Sequence, residues 1–190
     1  MVGVMGWDGL FEDLEAQFDS LERLQLEAEV ADRTRRERAG VELVERLVAH
    51  RGEPLTVRLV TGGAVSGVLQ DIGHDWLALR DERHDRSSER TVVVATGAVT
   101  GLAGLGRRTG AAESARRYRL GYVLRGLSRD RLAVTVMDRS GESATGTIAV
   151  VGADHLDLAE HPAEDGPRRE AVRAVRVVPF AALVTVAPAG

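Results

Sequence analysis

The sequence predicts an α+β, mainly β protein: a long N-terminal amphipathic helix followed by two copies of a unit built from one short helix and five short strands. Three observations predict it. Apolar residues near the start recur at alternating spacings of four and three. From Leu55 the apolar period changes to two. The pattern that follows is then repeated, residue type by residue type, 77 to 84 positions further on.

Trp7, Phe11, Leu14, Phe18, Leu21, Gln25 and Ala28 form the helical stripe, which Leu10 and Leu24 widen, and neither Pro nor Gly interrupts Leu10 to Ala39. Residues 1–32 carry nine acids and one base, Arg23. Their sum of −8 leaves +4 on the remainder of a chain whose net charge is −4. A second short helix is expected over Val41–His50, stopped by Gly52 and Pro54. Leu55, Val57 and Leu59 alternate with polar residues, Thr61-Gly62-Gly63 turns the chain, and Val65, Gly67 and Leu69 resume the alternation. Further strands are expected at Trp76–Leu79, Thr91–Ala95 and Ala98–Leu102, with a polar loop over Arg80–Arg90.

The second half follows the same order. Leu43 and Leu47 correspond to Leu120 and Leu124 at an offset of 77, and Leu55-Thr-Val57 corresponds to Leu132-Ala-Val134 at the same offset. Gly67 corresponds to Gly146, and Gly73-His-Asp75-Trp-Leu77 to Gly152-Ala-Asp154-His-Leu156, at 79. Val93-Val94 corresponds to Val177-Val178 at 84. The offset grows only at turns and loops, where insertions cost little. The organisation expected is a helix over 1–39, a first unit over 40–104, a linker over 105–114 and a second unit over 115–190.

Composition narrows the chemistry. With 44% hydrophobic residues but only 4% aromatic, the core must be made mostly of Val, Leu and Ala, which argues against large aromatic pockets. The absence of Cys excludes thiol nucleophiles, disulfides and thiolate metal sites. The absence of Lys excludes a P-loop lysine and Schiff-base chemistry. All 25 basic residues are Arg, and Ile occurs only at Ile72 and Ile148, a bias expected of a GC-rich genome. The first residues lack the basic and apolar regions of a secretory signal, and no stretch approaches the roughly 20 apolar residues needed to span a bilayer. A soluble, cytoplasmic protein is expected.

A helix followed by five short strands, a glycine in the second strand (Gly67, Gly146) and the string Ile72-Gly-His-Asp75-Trp-Leu77 or Val151-Gly-Ala-Asp154-His-Leu156 together resemble the Sm-like family. The resemblance covers about residues 41–104 and 115–187 and implies two Sm-like small barrels, each with a bent second strand in which a side chain would crowd the closure. It also implies RNA binding, the family's usual function. The asparagine that the family places in the aspartate string is Trp76 or His155 in this chain, and the last turn reads Ala95-Thr-Gly97-Ala or Pro179-Phe-Ala-Ala182. The chain is also similar to actinobacterial proteins with an Arg129-Asp-Arg131 approach to a strand and a Gly152-Ala-Asp-His-Leu156 stretch.

His74-Asp75, His84-Asp85 and Asp154-His155 offer ligand and proton-transfer pairs, but neighbours on a strand point to opposite faces. Asp75 and Asp154 are better read as turn aspartates accepting backbone N–H groups. The glycines from Gly101 to Gly106 follow the last strand of a unit rather than the first strand of a βαβ unit, which indicates a flexible linker and not a phosphate loop. No catalytic residue, metal site, cofactor or small-molecule substrate is expected. Arg107, Arg108, Arg116, Arg117, Arg119 and Arg125, with Tyr118 among them, are the candidate nucleic-acid contacts. Trp7, Phe11, Leu14, Phe18 and Leu21 are the candidate partner-binding residues, because such a stripe must be covered by something. The expected function is a non-enzymatic interaction or scaffold protein that self-associates or recruits a protein partner through its N-terminal helix. The alternative is an Sm-like RNA-binding protein using the Arg-rich interdomain region.

Overall fold

The computed structural model describes residues 39–81, 90–163 and 172–189, together with Leu26, Glu29, Arg33, Arg35 and Arg36. The chain divides into two compact units, residues 1–41 and 42–190. Trp7, Phe11, Leu14, Phe18 and Leu21 lie outside the described residues.

Residues 42–190 run α1 (Leu43–Ala49), β1 (Pro54–Leu59), β2 (Ala64–Ile72), β3 (Trp76–Arg80), β4 (Thr91–Ala95), β5 (Val99–Ala103), α2 (Glu113–Arg117), α3 (Leu120–Arg129), β6 (Ala133–Asp138), β7 (Ser143–Val151), β8 (His155–Glu160), β9 (Ala174–Pro179) and β10 (Leu183–Pro188). Short 3-10 turns at Thr96–Ala98 and Phe180–Ala182 lead into β5 and β10. The helices are short, of seven, five and ten residues. Among the described residues no long N-terminal helix is shown, most of the expected helix over 1–39 lying outside them, and the first helix with defined ends is α1.

The strands do not form two separate barrels either. All ten belong to one antiparallel sheet in the order β5-β1-β2-β3-β4-β10-β6-β7-β8-β9. The reason lies at its centre. Instead of closing on its own block, β4 pairs with β10, Val94 opposite Thr185 and Val93 opposite Val186, so the backbone groups of both strands are satisfied across the two halves. Only β5 and β9 are left with one neighbour each.

Within each half the strands sit where the period of two places them. Leu55, Val57 and Leu59 of β1 are buried and alternate with more exposed residues. The glycines singled out in β2 and β7 answer to a close backbone approach: a Cβ on Gly67 would sit 2.1 Å from the Arg80 carbonyl oxygen, and one on Gly146 would sit 2.1 Å from that of Ala159.

Two cores result, and each draws on both halves. Leu47, Leu55, Val57, Leu69, Leu77, Leu79 and Val94 pack with Val184 and Ala187 from β10. Leu120, Leu124, Val134, Ile148, Leu156 and Leu158 pack with Trp76, Ala78, Val93 and Ala95 from β3 and β4. Strands β3 and β4 are therefore buried on both faces.

The glycine-rich segment after β5 is held and does not swing free. Arg46 donates from Nε and Nη2 to the Gly106 carbonyl at 3.0 and 2.6 Å, and from Nη2 to that of Leu105 at 3.2 Å. Buried His50 donates from Nδ1 to the Arg46 carbonyl at 2.6 Å and accepts the Gly106 N–H on Nε2 at 2.9 Å. One donor and one acceptor partner fix the neutral ring with its proton on Nδ1.

Candidate functional site

The turn between β2 and β3 docks on the start of α3. Asp75 accepts the Leu120 N–H on Oδ1 at 2.6 Å, satisfying one of the free donors at the helix N-terminus. The Tyr118 carbonyl accepts the His74 N–H at 2.9 Å and the Trp76 Nε1–H at 3.1 Å. Gly73 is required beneath this joint, because a Cβ would lie 1.9 Å from Trp76 Nε1. Asp75 is thus a structural aspartate as its position predicts, although the group it caps comes from the other half of the chain.

These bonds anchor the start of α3 beside β3, and the helix then packs on β7, facing β3 and β4 across a cleft. Leu120 and Leu124 point into the second core, and Ser128 ties the end of the helix to β7 by donating to the Ile148 carbonyl at 2.9 Å. The opposite edge of α3 forms one wall of a cleft of about 760 Å³. Trp76, Ala78 and Val93 make its sheet-side wall, Val186, Ala187 and Pro188 of β10 its floor, and Tyr122, Val123, Gly126 and Leu127 its helix wall. Tyr118 stands beside Tyr122, their ring centroids 4.7 Å apart and their planes tilted by 45°. Gln70, Asp71, Arg125 and Arg129 complete the lining with polar and charged groups. Volume and apolar walls with a few polar groups at the edge are the ordinary attributes of a ligand site.

The Arg cluster read from the sequence is divided by the fold. Arg116 is engaged by Glu42 at 3.1 Å and Glu45 at 2.9 Å, and Arg108 is engaged by Glu53, whose carboxyl its hydrogen bond holds below the usual carboxylate range. Arg107, Arg117 and Arg119 are exposed and form no ion pair among the described residues. Arg125 alone of the six lines the cleft. Trp76, Tyr122, Gly126 and Arg129 belong to the site but escape the sequence reading. Low aromatic content argues against such a cleft, yet three of the chain's few aromatic rings converge on it.

Of the His-carboxylate pairs, His84 and Asp85 lie outside the described residues. Asp154 accepts from His155 Nδ1 at 2.9 Å on the surface, and this bond holds the Asp154 carboxyl below its usual range. No group of three His, Cys, Asp or Glu able to hold a metal occurs among the described residues. No helix among them is long and apolar enough to cross a membrane. No protein-family model matches the sequence and no curated protein is similar to it, so the chemistry of the cleft rests on its own residues.

Proposed function

We propose that this chain is a non-enzymatic interaction protein that self-associates head to tail through the two outer strands of its sheet. A single comparison carries the reading. Residues exposed at the ends of the molecule occupy the same places in the repeated pattern as residues buried at its centre. At the central β4–β10 joint Leu120 is 4% exposed and Val93 is 6% exposed, whereas Leu43 and Val177, their counterparts at the ends, are 44% and 60% exposed. Asp75 caps α3 at the centre, while Asp154 at the end holds only its neighbour His155.

Copying the central register outward sets Val177 of one chain opposite Leu102 of the next, and Val178 opposite Gly101. That contact would cover β9, an edge strand that presents Val175 and Val177 to solvent, the kind of edge proteins otherwise blunt. Because β9 and β5 are different surfaces, the contact is heterologous and generates a ring or an open chain, depending on the rotation per step. The N-terminal stripe of Trp7, Phe11, Leu14, Phe18 and Leu21 is a further surface for self-association or for recruiting a protein partner.

Sedimentation velocity over a wide micromolar range tests this. The native chain is expected to exceed its single-chain mass of 20.4 kDa, and Val177→Asp and Leu43→Asp are each expected to return it to that mass with an unchanged fold. A native chain that stays at 20.4 kDa at the highest concentration overturns the reading.

One observation favours RNA binding as a second reading. Arg117 and Arg119 flank Tyr118, which with Tyr122 offers exposed rings beside unpaired guanidinium groups, the combination on which single-stranded bases stack. The Sm-like resemblance points the same way. Retardation of a single-stranded RNA in moderate salt, abolished by Tyr118→Ala with Arg119→Ser, is the expected result. Retention of full retardation by that variant removes Tyr118 and Arg119 from the role.

A further inference from the structure

We infer that the cleft between α3 and the outer face of β3 and β4 binds an amphipathic carboxylate, a small molecule with an apolar body and one anionic head. The inference is independent of self-association, since the cleft lies inside one chain.

Gly126 is the first reason. It sits in the interior of the ten-residue helix α3, where glycine costs about 1 kcal/mol relative to alanine. Elsewhere the chain explains its helical glycine: a Cβ on Gly121 would press on the Phe180 ring at 3.3 Å. On Gly126 a Cβ would meet nothing within 4 Å, and Gly126 is one of the residues that line the cleft. No neighbour among the described residues requires that glycine. Its absent side chain leaves room for an apolar body lying against the helix.

Charge supplies the second reason. Arg125 and Arg129 stand four residues apart on α3, so their side chains project along one edge of the helix into the cleft lining. Neither forms a hydrogen bond or an ion pair among the described residues. Two like charges at this spacing repel each other modestly, and a carboxylate between them replaces the repulsion with two charge-assisted hydrogen bonds.

The remaining lining sets the selectivity. Trp76, Val93, Val123 and Leu127 offer only apolar surface, and Trp76 Nε1 is already committed to the Tyr118 carbonyl. The tilted Tyr118–Tyr122 pair suits an aromatic edge or an alkyl chain equally. Asp71 carries a negative charge at the lining, paired with Arg51 at 3.5 Å, and disfavours a second anionic group on the ligand. A dicarboxylate or a polyphosphate is therefore a poor match, and a monocarboxylate is a good one.

The test uses decanoate as the carboxylate, methyl decanoate as its neutral counterpart, and calorimetric titration on the full chain. Saturable decanoate binding is expected. Arg125→Ser with Arg129→Ser should weaken it by roughly tenfold or more, from the loss of hydrogen bonds to a charged group, while leaving methyl decanoate unaffected. Gly126→Leu should abolish binding of both and raise the melting temperature, because leucine fills the cleft and favours the helix. Should that variant fold poorly, the double arginine variant, altered only at exposed side chains, still decides. The inference is overturned by a native chain that does not take up decanoate, by equal affinity in a well-folded Gly126→Leu variant, or by arginine changes that weaken the ester as much as the acid.

Discussion

The centre and the ends of this sheet use the same local devices with opposite outcomes. At the centre, β4 meets β10, an aspartate from a turn caps a helix, and Leu120 and Leu124 of that helix share a core with Trp76, Ala78, Val93 and Ala95 of β3 and β4. At the β9 end the same strand positions are present, but no helix among the described residues packs on them, and the corresponding face carries His155, Asp157 and Val177 where the centre carries Trp76, Ala78 and Val93. Burial at the centre thus comes partly from composition, with Trp76 and Ala78 where the end has His155 and Asp157, and partly from context, since Val93 is buried and its counterpart Val177 exposed.

That comparison can be broken most severely at the leucines. Leu120→Ala removes a buried side chain and is expected to cost about 2–4 kcal/mol, read as a loss of melting temperature at any protein concentration. Leu43→Ala in dilute solution should cost less than about 0.5 kcal/mol. Equal losses for the two would show that the ends are as tightly packed as the centre.

The aspartates sharpen the same contrast at smaller amplitude. Asp75→Ala removes the cap of α3 and should cost about 1 kcal/mol. Asp154→Ala should cost less, and its cost should depend on pH. The Asp154 carboxyl lies below its usual range in the folded chain, so its contribution is present above the ordinary carboxylate pKa and is lost as the pH falls through the folded value. Thermal melts of native and Asp154→Ala chains should therefore converge in acid. A gap that widens in acid would contradict the His155 contact as the source.

Much of the strand layout is legible in the sequence, since period two locates β1 and β2, short apolar runs locate β3 and β4, and the repeat of the whole pattern 77 to 84 positions on locates the strands of the second half. The joining of the halves is not. Pairing between β4 and β10 is made by backbone groups, which leave no side-chain signature. A signal for what covers the sheet is present all the same. Trp76-Leu-Ala-Leu79 and Val92-Val-Val-Ala95 are unbroken apolar runs, which marks strands covered on both faces, whereas His155-Leu-Asp-Leu158 alternates as a strand with one face in water must. That distinction marks the face of β3 and β4 on which the cleft forms. Gly126 was equally legible, as a glycine in a helix interior with no turn to serve. The two closed barrels, by contrast, extend local periodicity and resemblance to tertiary closure, which neither determines.

The clasp of Arg46 and His50 on Leu105 and Gly106 has one further consequence. The peptide that joins the halves is fastened to the first half, while the halves themselves are fastened to each other by the ladder between β4 and β10 and by the interleaved cores. Covalent continuity past Gly106 is then mechanically redundant. A single cut in the backbone near Thr109 would leave two fragments that stay locked together, so a nicked chain would travel as one particle until denaturant released it.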